Sequence, residues 1–512
     1  MQSTKVILTN RTARFVRPYD YDCLNEFLKY RKAGWEYTYA GQAYISWKKA
    51  VEHGEADEDD PKGWDGYLHL LQKDEVGAGA FLALREAMER EATTRFVVKD
   101  QRRPPDFVKD CLGSEGHGEE RSYQRECYIK MLGASHTGGL ILNATGTGKT
   151  YIAGLYLKAL KGPALFLVDE LTLLDQAQKE LTKVIGEPVG NIGNQIFNPK
   201  RVTVATIQTI HRHRYDQKFV PWTRTLQCII IDELHTALNR SNFQTVAVIK
   251  PPVVFGLTAT LEMKKKSVYL RAYDMCGPVV FEYPLEQGVK EGFLSKGVAI
   301  SVQVNQDLQG ERIRGNPKWR WVRLKYTAQY QELYEKVIVE GRERNRVIRE
   351  FVKEAHDRGK YVIVLLERVQ HLKDMSALLS KIPHNLVFGE KHVSQRIESK
   401  AAFEKGNIRV LLANKVFKKG IDIKRVDVII DGAGMKSRND CVQKYGRGVR
   451  LCKGKDGLIY IDISDTGNRF EKAGKARRTA LKKVGVPIYK VSSEKGAGRI
   501  LDLAEKKLKE IK

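Results

Sequence analysis

Short, continuous apolar runs recur along the middle of this chain, at 139–142, 164–168, 202–205, 228–231 and 253–257. Such runs are the pattern of strands buried on both faces. Helical patterns separate them, the first at 151–160, and the alternation predicts βαβ units around a parallel sheet from about Arg121 to Ser295. A second alternating series follows the loop at 310–317, with a helix at 338–356 and strands at 361–366, 410–413, 426–430 and 457–463. Residues 1–100 differ: short strand-like pieces accompany one helix at 77–93 and an acidic loop at 52–60. The stretch 101–118, with Pro104-Pro105 near its start and Gly113, Gly116 and Gly118 near its end, reads as a linker. The predicted division is a small α+β domain at 1–100 and two α/β domains at 111–297 and 298–512.

Candidate chemistry is concentrated in the first α/β series. Asn143-Ala144-Thr145-Gly146-Thr147-Gly148-Lys149-Thr150 falls on the turn from the strand at 139–142 to the helix at 151–160. Backbone N–H groups of such a turn, with the helix N-terminus, meet phosphates. Lys149 then reaches the β- and γ-phosphates, and the Thr150 hydroxyl binds Mg²⁺. The first loop position is Asn143 where the general pattern has glycine, which affects backbone shape more than chemistry. Asp232-Glu233-Leu234-His235 follows the run at 228–231, the way a central parallel strand delivers acids to its carboxyl end. Asp232 can hold Mg²⁺ through water and Glu233 can orient or deprotonate the attacking water. A solvated acid pair capping a strand is the bland alternative; behind a phosphate loop, the pair is what hydrolysis needs. The implied cofactors are ATP and Mg²⁺. The second series has no phosphate loop of its own, which implies one nucleotide held in the cleft between two similar domains.

Weaker signals surround these two. In Arg121-Ser122-Tyr123-Gln124, Gln124 can read an adenine edge with Tyr123 packed in support, or it can cap a helix. The segment from Asp169 to Gln176 and the run Thr206-Ile207-Gln208-Thr209 each follow a buried strand, where amides, hydroxyls and helix N-termini can hold strand phosphates. Gln176, Thr206, Gln208 and Thr209 are the nucleic-acid candidates there. Thr258-Ala259-Thr260 can link the acids to domain movement. In the second series, Phe417-Lys418-Lys419-Gly420-Ile421-Asp422 precedes Gln443-Lys444-Tyr445-Gly446-Arg447-Gly448-Val449-Arg450. Arg447 and Arg450, one helical turn apart, can share a face and meet a γ-phosphate as arginine fingers. A solvated basic helix is the alternative.

Composition narrows the partner. Lys and Arg number 88 against 62 Asp and Glu, a net charge of +26, and 13 of those bases but only five acids follow Phe470. That excess favours a polyanion, with nucleic acid ahead of membrane. At 512 residues with 42% hydrophobic content, about three domains with sizeable cores are expected. No apolar run approaches the ~18–20 residues of a membrane span, and the first residues lack a secretion signal. The seven cysteines are scattered without a C-x-x-C pair, which fits a reducing cytoplasm and argues against structural zinc.

In this order and spacing, across about 119–465, the motifs resemble those of superfamily 2 helicases of the DExH type. Within that group the chain is most similar to phage UvsW-type helicases, which remodel branched DNA; Gly63-Trp64-Asp65-Gly66 and the following Tyr67-Leu68-His69-Leu70-Leu71 carry that likeness. Residues 255–261 and 277–294 also resemble the motor subunits of restriction enzymes. The family usually has Pro-Thr where this chain has Asp169-Glu170. The resemblance implies two RecA-like motor domains in tandem behind a small N-terminal domain, with a DNA strand lying across both motors. It implies Lys149, Asp232, Glu233, His235, Gln443, Arg447 and Arg450 as the catalytic set. Tyr123, Gln124, Thr145, Gly146, Thr147, Gly148, Thr150, Gly420 and Asp422 would bind nucleotide.

Trp64 either caps its domain's core or presents an aromatic face to DNA. Trp319 and Trp321, in a basic segment, either fill the second core or stack on a base. An RNA helicase shares the phosphate contacts; a double-strand translocase serving a nuclease partner and an ATP-switched binding protein are the other rivals. The expected setting is cytoplasm, that of a bacterial host if the chain is phage-encoded.

Overall fold

The computed structural model describes residues 2–31, 39–52, 65, 67–90, 94–108, 120–249, 251–259, 261, 265–305, 330–389, 393–414, 423, 425–466 and 470–511. The chain folds into two compact units. One comprises Met1–Asn143 and Gly148–Glu282, the other Ala144–Thr147 and Tyr283–Lys512.

The first unit opens with β1 (Gln2–Leu8) and β2 (Thr12–Val16), an antiparallel pair. A small pair, β3 (Lys29–Arg31) and β4 (Tyr67–His69), precedes β5 (Glu75–Gly77) and β6 (Thr94–Asp100). The sheet order is β5-β2-β1-β6, with β6 parallel to β1. The helix expected at 77–93 forms as Ala78–Arg90, because Gly77 still belongs to β5. Its Phe81 packs edge-on against Phe15 and Phe96, with ring centroids 5.9 and 5.4 Å apart. Two further helices, Tyr21–Leu28 and Tyr39–Glu52, add to the one the pattern predicted.

The same helix joins this small domain to the next. It lies against the helix Lys266–Cys276 so closely that a Cβ at Gly79 would collide with the Tyr273 carbonyl, and one at Gly77 with the Asp274 carboxylate. Glycine permits this approach at the expense of helix propensity. Ala83, from the same helix, is part of the core cluster of the following domain. The segment after Asp100 is held as well: Asn10 Nδ2 donates to the Arg103 carbonyl at 2.7 Å, and Phe107 stands edge-on to Tyr156 at 5.7 Å. Residues 101–108 are therefore docked backbone, not the free linker their prolines suggest.

The eight-stranded sheet of this unit contains β7 (Gly138–Asn143), β8 (Ala164–Val168), β9 (Gly190–Gly193), β10 (Ile196–Asn198), β11 (Val202–Thr206), β12 (Cys228–Ile231), β13 (Val253–Thr258) and β14 (Val279–Tyr283). They run in the order β10-β9-β11-β8-β12-β13-β7-β14. The five strands from β11 to β7 are parallel neighbours, and β8, β11, β12 and β13 are buried along their whole length. This explains their unbroken apolar runs.

The second unit is built on a seven-stranded sheet of β15 (Gly297–Asn305), β16 (Val362–Leu365), β17 (His384–Val387), β18 (Val410–Ala413), β19 (Val428–Asp431), β20 (Leu458–Thr466) and β21 (Ile488–Ser492). The order is β17-β18-β16-β19-β20-β15-β21, and each adjacent pair is parallel. Sheet formation thus begins at Gly297, ahead of the loop from which the pattern counted. The helix expected at 338–356 is broken: a π-helical turn at Glu335–Val339 ends before Gly341, whose ψ of 98° leaves helical space, and Arg342–Asp357 starts afresh. The basic C-terminal stretch is not merely solvated. It supplies β21 and the helices Glu471–Lys483 and Ala497–Glu510, and Ile500, Leu501, Ala504 and Leu508 enter the core. Both units are α/β with central parallel sheets, as in RecA-like motors. Among the described residues no helix is long and apolar enough to cross a membrane.

Candidate active site

Because β7, β13, β12, β8 and β11 are parallel and adjacent, the residues following them emerge on one edge of the first sheet. At the end of β7 the chain turns through Gly146 (φ 89°) and Gly148 (φ 77°), left-handed positions that favour glycine. The helix Lys149–Ala159 starts immediately afterwards, so Lys149 and Thr150 are its first two residues. The turn is braced internally, Thr147 Oγ1 donating to the Ala144 carbonyl at 2.7 Å. Lys149 Nζ reaches back to the Asn143 carbonyl at 3.3 Å. Asn143 therefore contributes its backbone to the loop, and its side chain is fully buried. Thr145 and Gly146 complete the turn, both half-buried.

Of the two roles considered for Gln124, the structure shows the helix cap. Its Oε1 accepts from the Arg121 backbone N–H at 3.1 Å, capping the helix Ser122–Gly133. Its Nε2 faces the phosphate turn, only 2.6 Å from where a Cβ on Gly148 would stand. Tyr123 is buried, and its hydroxyl accepts from Arg121 at 3.1 Å.

Asp232 and Glu233 follow β12. Asp232 accepts from the Glu233 backbone N–H at 3.0 Å, and Glu233 holds a left-handed φ of 48°. A non-glycine residue in that region is uncommon and marks a site held by its surroundings. Burial, then the neighbouring Glu233 carboxylate, push the Asp232 pKa up to about 6, with Lys149 opposing. The carboxylate thus has less positive charge around it than its ionised form needs, which is the condition a Mg²⁺ ion would relieve. His235 links the acids to β13: its Nδ1 lies 3.4 Å from Glu233 Oε2 and 3.4 Å from Thr258 Oγ1. Thr260 lies outside the described residues.

The strand-binding candidates divide. Thr206 is buried, its hydroxyl accepting from the Thr209 N–H at 3.2 Å and lying 2.8 Å from Thr209 Oγ1. Those two hydroxyls are engaged in capping the helix Ile207–His213. Gln176 and Gln208 are exposed, and Gln208 Nε2 donates to Asp169 Oδ1 at 3.4 Å. That contact gives the unusual Asp169 a partner at this edge.

In the second unit the helix Arg438–Gly448 is capped by Ser437, whose hydroxyl accepts from the Asp440 N–H at 3.3 Å. Cys441, Val442, Lys444 and Tyr445 are buried beneath it, while Gln443 and Arg447 are half-buried. Arg450 lies beyond the helix end, past Val449, so it does not continue the helical face of Arg447 as their spacing suggests. Lys444 Nζ donates to both oxygens of Asp431, at 2.9 and 2.8 Å, and Tyr460 donates to the same carboxylate at 2.6 Å. Burial pushes Asp431 up, but Lys444 and Arg477 outweigh it and hold the carboxyl far below its usual range. Gly420, Asp422, Trp64, Trp319 and Trp321 lie outside the described residues.

Two family models match the chain: "Type III restriction enzyme, res subunit" over residues 117–263 and "Helicase conserved C-terminal domain" over residues 343–452. The chain belongs to superfamily 2 of the ATP-dependent helicases. Among curated relatives, this superfamily 2 chain is 24% identical over 389 residues to the type I restriction enzyme EcoAI endonuclease subunit of Escherichia coli, covering 70% of the chain and 47% of that protein. It is 25% identical over 339 residues to the DNA 3'-5' helicase XPB of Kineococcus radiotolerans, covering 64% and 57% respectively. The chain thus spans about half the length of these first relatives. Among solved structures, that of T4 UvsW covers 96% of this chain and 99% of its own at 16% identity, with a TM-score of 0.42.

Sequence reasoning missed Asp431, although Val428–Asp431 repeats the signal of an apolar strand ending in an acid. It named Lys444 only as part of a motif. A lysine in a basic helix carries no local mark of being buried.

Proposed function

We propose that this chain is an ATP-dependent DNA helicase or translocase that remodels branched DNA such as forks and junctions. One observation carries the enzymatic part: Lys149, Thr150, Asp232 and Glu233 share one edge of a parallel sheet, with Asp232 short of positive charge. The residues fit ATP and Mg²⁺. The loop N–H groups and Lys149 would hold the phosphates, Thr150 and Asp232 the ion, and Mg²⁺ would supply charge neutralisation at the phosphates. Glu233 orients the attacking water. Arg447 and Arg450 meet charge that develops in the transition state.

DNA as partner is supported by the net charge of +26 and by the names of the relatives. Contacts mainly to phosphates make movement indifferent to sequence and affinity steeply salt-dependent. The branched-DNA role rests on the sequence likeness at 63–71. Similarity to a restriction-enzyme subunit favours a second reading, a double-strand translocase serving a nuclease partner.

The test compares ATPase stimulation and product formation on single strands, plain duplexes, forks and four-way junctions, in DNA and RNA versions. Forks and junctions should be processed best, with RNA giving little stimulation; equal stimulation by plain duplex with no strand separation supports the second reading instead. Lys149→Ala should abolish turnover, and Glu233→Gln should bind ATP yet turn over slowly. Arg447→Ala and Arg450→Ala should each slow hydrolysis by about 10³-fold while weakening ATP binding much less. Near-normal rates in Lys149→Ala or Glu233→Gln would mean the site is elsewhere. The N-terminal contribution is better probed by Trp64→Ala than by deletion, since removing Ala78–Arg90 would bare the helix Lys266–Cys276.

A further inference from the structure

The turn that carries Arg450 is held largely by one side chain. Carbonyls at a helix C-terminus have no partner within the helix and must find one outside it. Beyond the helix Arg438–Gly448, Lys455 Nζ donates to the Gly448 carbonyl and to the Arg450 carbonyl, the latter at 3.3 Å. Between them the Val449 carbonyl accepts from the Ser295 N–H at 2.7 Å. Carbonyls 448 to 450 are therefore all engaged, two of them by the same ammonium. Positive charge at this end also complements the helix dipole. Gly448 seats the helix end on the sheet: a Cβ there would stand 2.6 Å from Leu458 and 2.8 Å from Ile429. With its floor fixed by β19 and β20 and its far side tied by Lys455, the segment has little room to move.

We propose that Lys455 is a positioning residue for Arg447 and Arg450, its ammonium fixing the backbone from which both guanidinium groups project. This rests on the role given to the two arginines above. Misplacement of such groups by about 1 Å is enough to cost on the order of a hundredfold in rate.

The environment of Lys455 makes the role readable through pH. Burial is the strongest influence and lowers its pKa to about 8. Asp427 and Cys452 oppose that shift, and Arg425 adds to it. As pH rises through about 8 the ammonium loses its proton, both carbonyl contacts weaken, and kcat should fall. Stability should move the other way. The folded pKa lies below the ordinary 10.5, so between about 8 and 10.5 the unfolded chain binds more protons, and this group adds stability as pH rises. Activity lost in that window without a drop in melting temperature separates positioning from unfolding.

The experiment measures kcat and KM for ATP with saturating single-stranded DNA, from about pH 6.5 to 9.5, on the full chain. Lys455→Met and Lys455→Arg are compared with Arg447→Ala and Arg450→Ala. Lys455→Met should lower kcat about ten- to a hundredfold with little change in KM. Lys455→Arg should keep most of kcat and lose the alkaline fall, since a guanidinium stays charged. Wild-type kcat in Lys455→Met, or an unchanged alkaline fall in Lys455→Arg, overturns the proposal. If the arginine variants keep wild-type rates, the parent reading fails; if they collapse while the lysine variants behave as wild type, only the positioning role fails. Should Lys455→Met not fold, the pH profile of Lys455→Arg decides.

Discussion

Each of the two parallel sheets delivers an aspartate at the carboxyl end of a central strand, and their surroundings treat the two carboxylates in opposite ways. Asp232, after β12, has Lys149 as its nearby cation and Glu233 as a repelling neighbour, and its pKa rises to about 6. Asp431, ending β19, receives two hydrogen bonds from Lys444 and one from Tyr460, and stays ionised far below the usual range. Ion pairs recur on the second sheet, with Arg477 on Asp462 at 2.6 Å and Arg344 on Asp465 at 2.8 Å, although burial outweighs Arg477 and still pushes Asp462 above its usual value. One fold has been finished in two ways. In the second domain, cations from the chain itself pair with the buried acids, and Lys444 ties the helix Arg438–Gly448 to Asp431 at the end of β19. In the first, the edge is left short of positive charge around Asp232, which the Mg²⁺ of the proposed ATP site would supply.

The largest effect expected from breaking this contrast lies in the second domain. Lys444→Met should leave Asp431 buried without its directly bonded cation, only Tyr460 and the charge of Arg477 remaining, at a cost of up to about 3–5 kcal/mol of stability. Adding Asp431→Asn should recover much of that loss, since the cost lies in the orphaned charge. Urea unfolding of both variants checks this; equal stability of Lys444→Met and the parent would contradict the pairing.

A smaller effect of opposite sign is expected in the first domain. The folded pKa of Asp232 lies above its ordinary 3.8, so the folded state binds the proton more tightly and this group favours folding more as pH falls through about 6. At neutral pH the ionised carboxylate is a net cost. Asp232→Asn should therefore raise stability at pH 7.5 by about 1–3 kcal/mol after discounting for solvent, with the gain shrinking toward pH 5, while abolishing ATP turnover. Thermal melts at the two pH values would show it, and a variant less stable at both would count against the account.

The contrast also marks what was legible in the sequence. The loop from Asn143 to Thr150 and the pair Asp232-Glu233 are contiguous, each joined to an apolar run, so their chemistry could be read locally. The full-length apolar character of β8, β12 and β18 placed those strands residue for residue or nearly so. The partners in the second domain are distant in sequence: Lys444 with Asp431, Lys455 with Gly448, Arg344 with Asp465. Nothing in the residue types distinguishes these buried cations from the many exposed ones in so basic a chain. Arg450 shows the limit of spacing arguments, since the helix ends at Gly448 and leaves it outside. Gly79 shows another, because a glycine inside a helix reads as a weakness until the Tyr273 carbonyl is seen where a side chain would go.

The central claim, that the first edge is electrostatically incomplete until Mg²⁺ and nucleotide arrive, is tested most directly by counting protons. Calorimetric titration with Mg²⁺ and a non-hydrolysable ATP analogue, at pH 6 in buffers of different ionisation enthalpy, gives the number released per site. The account predicts that the intact chain releases a measurable fraction of a proton more than Asp232→Asn, because a carboxyl whose pKa is raised to about 6 is partly protonated there and must ionise to meet the ion. The difference should fade by pH 8. Identical proton counts for the two proteins at pH 6, with both binding the analogue, would contradict it.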